Sequence, residues 1–173
     1  MAMTVQIDLA TGAGPSYAAT TAVKWNRVDS EAGTTAIPTP TSTGTNFSYV
    51  KSFQINITAT GSLTMTDVKF GKVAGETTTG TKLWYDASHS SYTQATTSPT
   101  STGDNNTTAP TINSATGTAV PLIAGASAYS AGPHTTTGRK GNYVEVTLGV
   151  DATNTTAGTS VATPTLRWQW TEA

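Results

Sequence analysis

Threonine occupies 39 of the 173 positions, and this restricts the fold more than any other feature of the chain. A side chain branched at Cβ loses rotamer freedom in a helix and suits an extended, pleated backbone. The larger apolar residues agree, recurring with period two in several segments and with period 3.6 in none. Asn46 to Ala59 is the clearest case. There Phe47, Tyr49, Lys51, Phe53, Ile55 and Ile57 alternate with Ser48, Val50, Ser52, Gln54, Asn56 and Thr58. Lys51 interrupts the apolar face, and its stem is expected to snorkel past its neighbours to water.

A turn at Ala59 to Ser62 follows, and alternation resumes at Leu63 and Met65. At Asp67 to Phe70 the apolar phase shifts by one residue, which predicts a bulge or a strand that changes faces. Residues 46–71 therefore read as a long antiparallel hairpin at the centre of the structure. Shorter strands are expected at Thr4–Leu9, Ala22–Val28, Lys82–Asp86, Tyr143–Val150 and Leu166–Trp170, the last two forming a second hairpin across the polar loop from Asp151 to Ser160. About seven strands with turn-rich connections predict one all-β domain over 1–173, an antiparallel β-sandwich or a barrel-like domain. Two segments break the rhythm. Residues 33–45 are kept out of any central strand by Pro38 and Pro40. Residues 93–118 are almost wholly Thr, Ser, Asn, Pro, Gly and Ala. Both are expected to be long extended Thr-rich loops or arms, too poor in apolar residues to pack alone; residues 93–118 are expected either to be disordered or to be held against a partner subunit at its sheet edge.

Composition narrows the function by exclusion. Charged residues are 11% of the chain, the net charge is −1 and cysteine is absent. No cationic cluster is denser than Arg139-Lys140, which argues against nucleic acid as a partner. Without cysteine there are no disulfides, thiolate nucleophiles or cysteine-based zinc sites. The start, Met1 to Gln6, lacks the basic and apolar regions of a signal peptide. Ala119 to Ala131 is too interrupted to span a bilayer. The expectation is a soluble chain made in the cytoplasm, with no membrane partner. Asp86, His89 and nearby serines lie in one loop, and a triad needs its members converging from different elements. His134 reads as a loop histidine, and Asp104-Asn105-Asn106 as a polar turn, since the spaced ligands of a calcium loop are missing. Four Asn-X-Ser/Thr matches are expected by chance in so threonine-rich a chain. No catalytic residue, metal or cofactor is expected. Trp25, Trp84, Trp168 and Trp170 lie in or at the start of strand-like runs and are read as core or interface anchors in preference to sugar-stacking platforms.

The segments Thr4 to Tyr17, Val23 to Ser30, Ile37 to Pro40 and Val68 to Lys72, with Lys82 to Tyr85, resemble small virion structural proteins of tailed bacteriophages, most of all phages of actinobacteria. The resemblance spans residues 4–95 and carries no catalytic motif. It implies a β-rich protein repeated many times on a capsid or along a tail, located in the virion, with other copies of itself and a major capsid or tail protein as partners. Under it, Trp25, Ile37, Pro38, Trp84, Tyr85, Trp168 and Trp170 are the interface candidates. A capsid decoration protein is the leading expectation. A tail component, or a carbohydrate-binding or adhesin-like β-sandwich, is the alternative.

Overall fold

The computed structural model describes residues 2–30, 35–74, 79–100, 112–114, 123–124, 132–154 and 165–173. Ten strands run through them, with no helix: β1 (Thr4–Thr11), β2 (Ser16–Ala19), β3 (Thr45–Phe47), β4 (Lys51–Ala59), β5 (Met65–Ala74), β6 (Thr81–His89), β7 (Ile112–Ser114), β8 (Ile123–Ala124), β9 (Gly138–Asp151) and β10 (Thr165–Glu172). All their pairings are antiparallel. One sheet has the order β2-β1-β4-β9-β6-β7, with β3 also on β9, and the other has the order β10-β5-β8. The fold is an all-β antiparallel, curled sandwich.

The long alternating strands place their apolar positions as their spacing predicts. Leu9, Phe53 and Val144 stand opposite one another across β1, β4 and β9, and Ile55 and Ile57 stand opposite Ile7 and Val5. Directly opposed residues share a face, so these rows form one apolar wall. Phe53, Ile55, Ile57, Leu83, Val144, Val146 and Leu148 are fully buried on it. Met65, Val68 and Phe70 of β5 close the core from the second sheet. Phe70 meets Tyr85 edge-on at 5.2 Å between ring centroids, and Trp168 lies 4.7 Å from Phe70 and 5.9 Å from Phe53. The predicted bulge is present. Gln169 pairs with Lys69, but Thr171 pairs with Thr66, which inserts one extra residue on β5.

The pairing of strands departs from the sequence reading. Residues 46–71 do not form a hairpin, because β4 and β5 belong to different sheets and the turn near Gly61 carries the chain from one layer to the other. Here Thr64 pairs with Ala173, and Met65 with His134. Likewise β9 and β10 lie in opposite sheets, so they make no second hairpin. The Asn46 to Ala59 run is itself split. Phe47 pairs with Gly149 and Lys51 with Val146, four residues against three, so a bulge at Ser48 to Val50 reverses the facing of Phe47 relative to Phe53. Ser48 fills the irregularity, its Oγ accepting from Leu148 N at 3.0 Å and lying 3.0 Å from Thr147 Oγ1.

Three further expectations are corrected. Ala22 to Val28 is not a strand; it bends around Lys51. That lysine does not snorkel. It is 1% exposed, and its Nζ donates to Asn26 Oδ1 (2.9 Å), Val28 O (2.6 Å) and Ser30 O (3.3 Å). A buried ammonium needs converging oxygens, and turning these inward is incompatible with a strand's ladder. The described part of the proposed arms is also held by this chain's own body. Ile37 is buried in the core, Arg27 N donates to Thr35 O, and Asn46 Nδ2 donates to Pro38 O. Ala95 is buried, Tyr49 donates to Thr96 O, and Ile112–Ser114 pairs with β6. Residues 33–34, 101–111 and 115–118 of those segments lie outside the described residues, as does 155–160 of the Asp151 to Ser160 loop.

Two stability outcomes follow from this packing. Phe53→Ala removes a fully buried ring between the sheets and is expected to cost roughly 2–5 kcal/mol, read from the midpoint of urea unfolding. Gly149 lies beneath the Trp84 ring, where a Cβ would collide with the indole and with Thr45 Cγ2. Gly149→Ala is therefore expected to cost about 1–3 kcal/mol as overpacking, seen as a lower melting temperature with an unchanged β-type circular dichroism spectrum.

Candidate binding groove and the polar face

The two sheets leave an opening along one side. A groove of about 830 Å³ lies there, lined by Val5 and Ile7 of β1, Phe53 of β4, the stretch from Ala19 through Val23 with Trp25, and Leu166, Trp168 and Trp170 of β10. Alternation along β1 and β10 explains the lining, because every second residue of each strand faces the space between the sheets. The polar groups at the wall are neutral and already engaged in part. Gln6 Nε2 donates to Asp8 Oδ1 (2.6 Å), and Thr20 Oγ1 donates to Ala22 O (2.8 Å). Trp170 Nε1 donates to Glu172 Oε1 (2.9 Å), while Trp168 Nε1 is shut from solvent with no acceptor.

The opposite face of the larger sheet is polar and aromatic. Asp8 is buried there and receives Asn56 Nδ2 at 2.9 Å and Arg139 at 2.8 Å. The Arg139 guanidinium also lies 3.6 Å above the Tyr17 ring, a cation–π contact. Tyr17 and Tyr143 share a hydroxyl hydrogen bond, and Tyr92 tilts against Tyr143 with centroids 5.9 Å apart. Asp29 accepts from Gly12 N (2.7 Å) and from Tyr92 (3.4 Å). Burial first, then the bond and charge of Tyr17, pushes the Tyr143 hydroxyl up to about 12. Burial first, then the Asp29 charge, also raises Tyr92 above the ordinary phenol range. These phenols stay neutral over the physiological range and serve as packing and hydrogen-bonding groups.

His89 and Asp86 do meet, with Nε2 3.4 Å from Asp86 Oδ2 and 3.9 Å from buried Glu145 Oε2. No group of three or more His, Asp or Glu among the described residues is arranged to hold a metal ion. Asp104 to Asn106 lie outside those residues. The interface candidates are spread over the core, the groove, the polar side of the larger sheet and the exposed surface. Tyr85 and Ile37 are in the core, and Trp25 is buried in the core and forms one wall of the groove. Trp84 packs edge-on against Phe47 at 5.1 Å on the polar side of the sheet. Pro38 is exposed, and Trp168 and Trp170 are part-buried at the groove. Sequence reasoning missed Val5, Ile7, Val23 and Leu166 as lining residues, although the alternation of Val5, Ile7 and Leu9 is a signal that places the β1 residues on one face.

Comparison with known proteins finds no matching family model, no matching curated protein and no matching solved structure.

His134 supplies a pH test of this geometry. Its Nε2 is buried without a partner, and burial first, then the charge of Lys140, lowers its pKa from 6.5. A depressed histidine favours the neutral form in the fold, so its contribution is complete above about pH 6.5 and is lost as pH falls toward the lowered folded value. Urea midpoints measured from pH 7.5 to pH 5 are expected to fall, and to fall less in His134→Gln.

Proposed function

We propose that this protein is a non-enzymatic structural component of a bacteriophage virion, most specifically a capsid decoration protein that binds the capsid lattice and neighbouring copies. The observation that carries the reading is how the charged side chains of the folded body are used. Asp8 holds Arg139, Lys51 holds the Asn26 to Ser30 turn, Asp29 holds the β1–β2 turn, and Asp151 accepts from Thr153. Charges committed to internal bonds hold a shape and leave recognition to neutral surface, strand edges and the groove. A near-neutral, threonine-rich surface opposes close packing of many copies only weakly. The resemblance over residues 4–95 supports the same role. A tail position is the nearest variant.

Purified particles and the isolated protein together test this. The chain is expected in many copies at symmetry-related positions on the capsid surface, and the isolated protein is expected to add to capsids that lack it. Absence from the particle, or a monomer that binds glycans in an array screen and adds to no capsid, would overturn the reading in favour of a sugar-binding module.

A further inference from the structure

The groove between the sheets has two features that specify its occupant. The first is its chemistry. Its apolar wall is built from Val5, Ile7, Val23, Leu166, Trp168 and Trp170, and among the described residues no side chain lining it carries a charge. Sugars need several fixed polar partners, and ions need opposite charge, so neither suits this wall. An apolar chain or a row of apolar side chains does.

The second feature separates those two. Among the described residues, both sheets end at the groove in strands that are paired on one side. Strand β2 covers β1 only from Asp8 to Thr11, and the last bond on that side is Thr20 N to Ile7 O at 2.9 Å. Residues Thr4 to Gln6 of β1 are paired with β4 alone among the described residues. Strand β10 is paired with β5 alone among the described residues. Unpaired backbone amides and carbonyls at a sheet edge are a template for another strand. A lipid tail fills the cavity but cannot use that template. An extended polypeptide does both, because its backbone extends the edge while every second side chain, repeating at about 6.6–6.8 Å, enters the cavity. Leu166, Trp168 and Trp170 have the same repeat along β10.

We propose that this groove is a strand-acceptor site, taking an extended segment of a partner polypeptide with uncharged apolar residues at alternate positions. The site stands whether or not the protein is a virion component, and its test uses neither capsids nor glycans.

The probe is a decapeptide alternating valine and threonine with a lysine at each end, titrated into the full-length protein while tryptophan emission and heat are recorded. Saturable binding with a blue shift of the indole emission is expected. Methylating the amide nitrogens along one edge of the peptide should weaken binding at least about tenfold, because it keeps the side chains and removes the ladder. Decanoate should not compete. Ala22→Trp, a change at an exposed wall residue, should fill the groove and weaken peptide binding by a similar factor with the melting temperature unchanged; Val23→Lys is the second variant if the first melts early. Each of four results overturns the proposal: no peptide binding at millimolar concentration, equal binding of the methylated peptide, displacement by decanoate, or full binding to both folded variants. Concentration-dependent dimerisation abolished by Ala22→Trp would assign the groove to a second copy of this chain and likewise overturn it.

Discussion

A single buried cation organises one end of this protein. Lys51 stands on the core face of β4, opposite Val146, where every other position in its row is apolar. An ammonium there is tolerable only if oxygens replace its water, since an unpaired charge in such a place costs several kcal/mol. The chain supplies them from Asn26, Val28 and Ser30. That turn in turn places Trp25 in the core, directs Arg27 Nε to Phe47 O at 3.1 Å, and sets the Asp29 carboxylate against Gly12 N. One charge thus fixes a segment with no strand of its own, and that segment forms a wall of the groove.

The sandwich also divides its labour by face. Among the buried positions on the inner face of the larger sheet, all but Lys51 and Thr81 are apolar, so this face supplies burial. On the outer face, Asp8, Arg139, Tyr17, Tyr143, Tyr92 and Asp29 form a connected set of ion-pair, cation–π and hydroxyl contacts. Strand β9 is consequently buried on both faces from Tyr143 to Val150. Burial on both sides gives it four apolar residues inward and Glu145, Thr147 and Gly149 outward, each fitted to a different neighbour.

Much of the fold was legible in the chain because period-two alternation reports both a strand and the face it buries. Phe53-Ile55-Ile57 and Val144-Val146-Leu148-Val150 show it without ambiguity, and the phase slip near Val68, compatible with a bulge or a change of face, is a bulge. Pairing was not legible. Alternation in β4 is compatible with any antiparallel neighbour, and the choice of β1 and β9 over β5 depends on how whole sheets stack. The fate of Lys51 was hidden for a related reason, since its partners are mostly backbone carbonyls, which every residue has. At the groove, Trp168 and Trp170 were conspicuous by type. Gly149 was not, because its role is the space it leaves for Trp84.

The strand order β4-β9-β6 has a consequence for how the protein is made. Strands β4 and β6 are both complete by residue 89, but the strand between them is drawn from residues 138–151 and emerges later in synthesis. At roughly 5–20 residues per second, the interval is on the order of seconds. Throughout it, Phe53, Ile55, Ile57, Leu83 and Tyr85 have no central strand to close over them, and β1 alone can shield β4. The central strand is thus the last of the three to be synthesised. The alternate positions of β4, Ser52, Gln54, Asn56 and Thr58, are polar and keep that waiting strand hydrated, so the outward half of the alternation also serves the chain before the sheet exists.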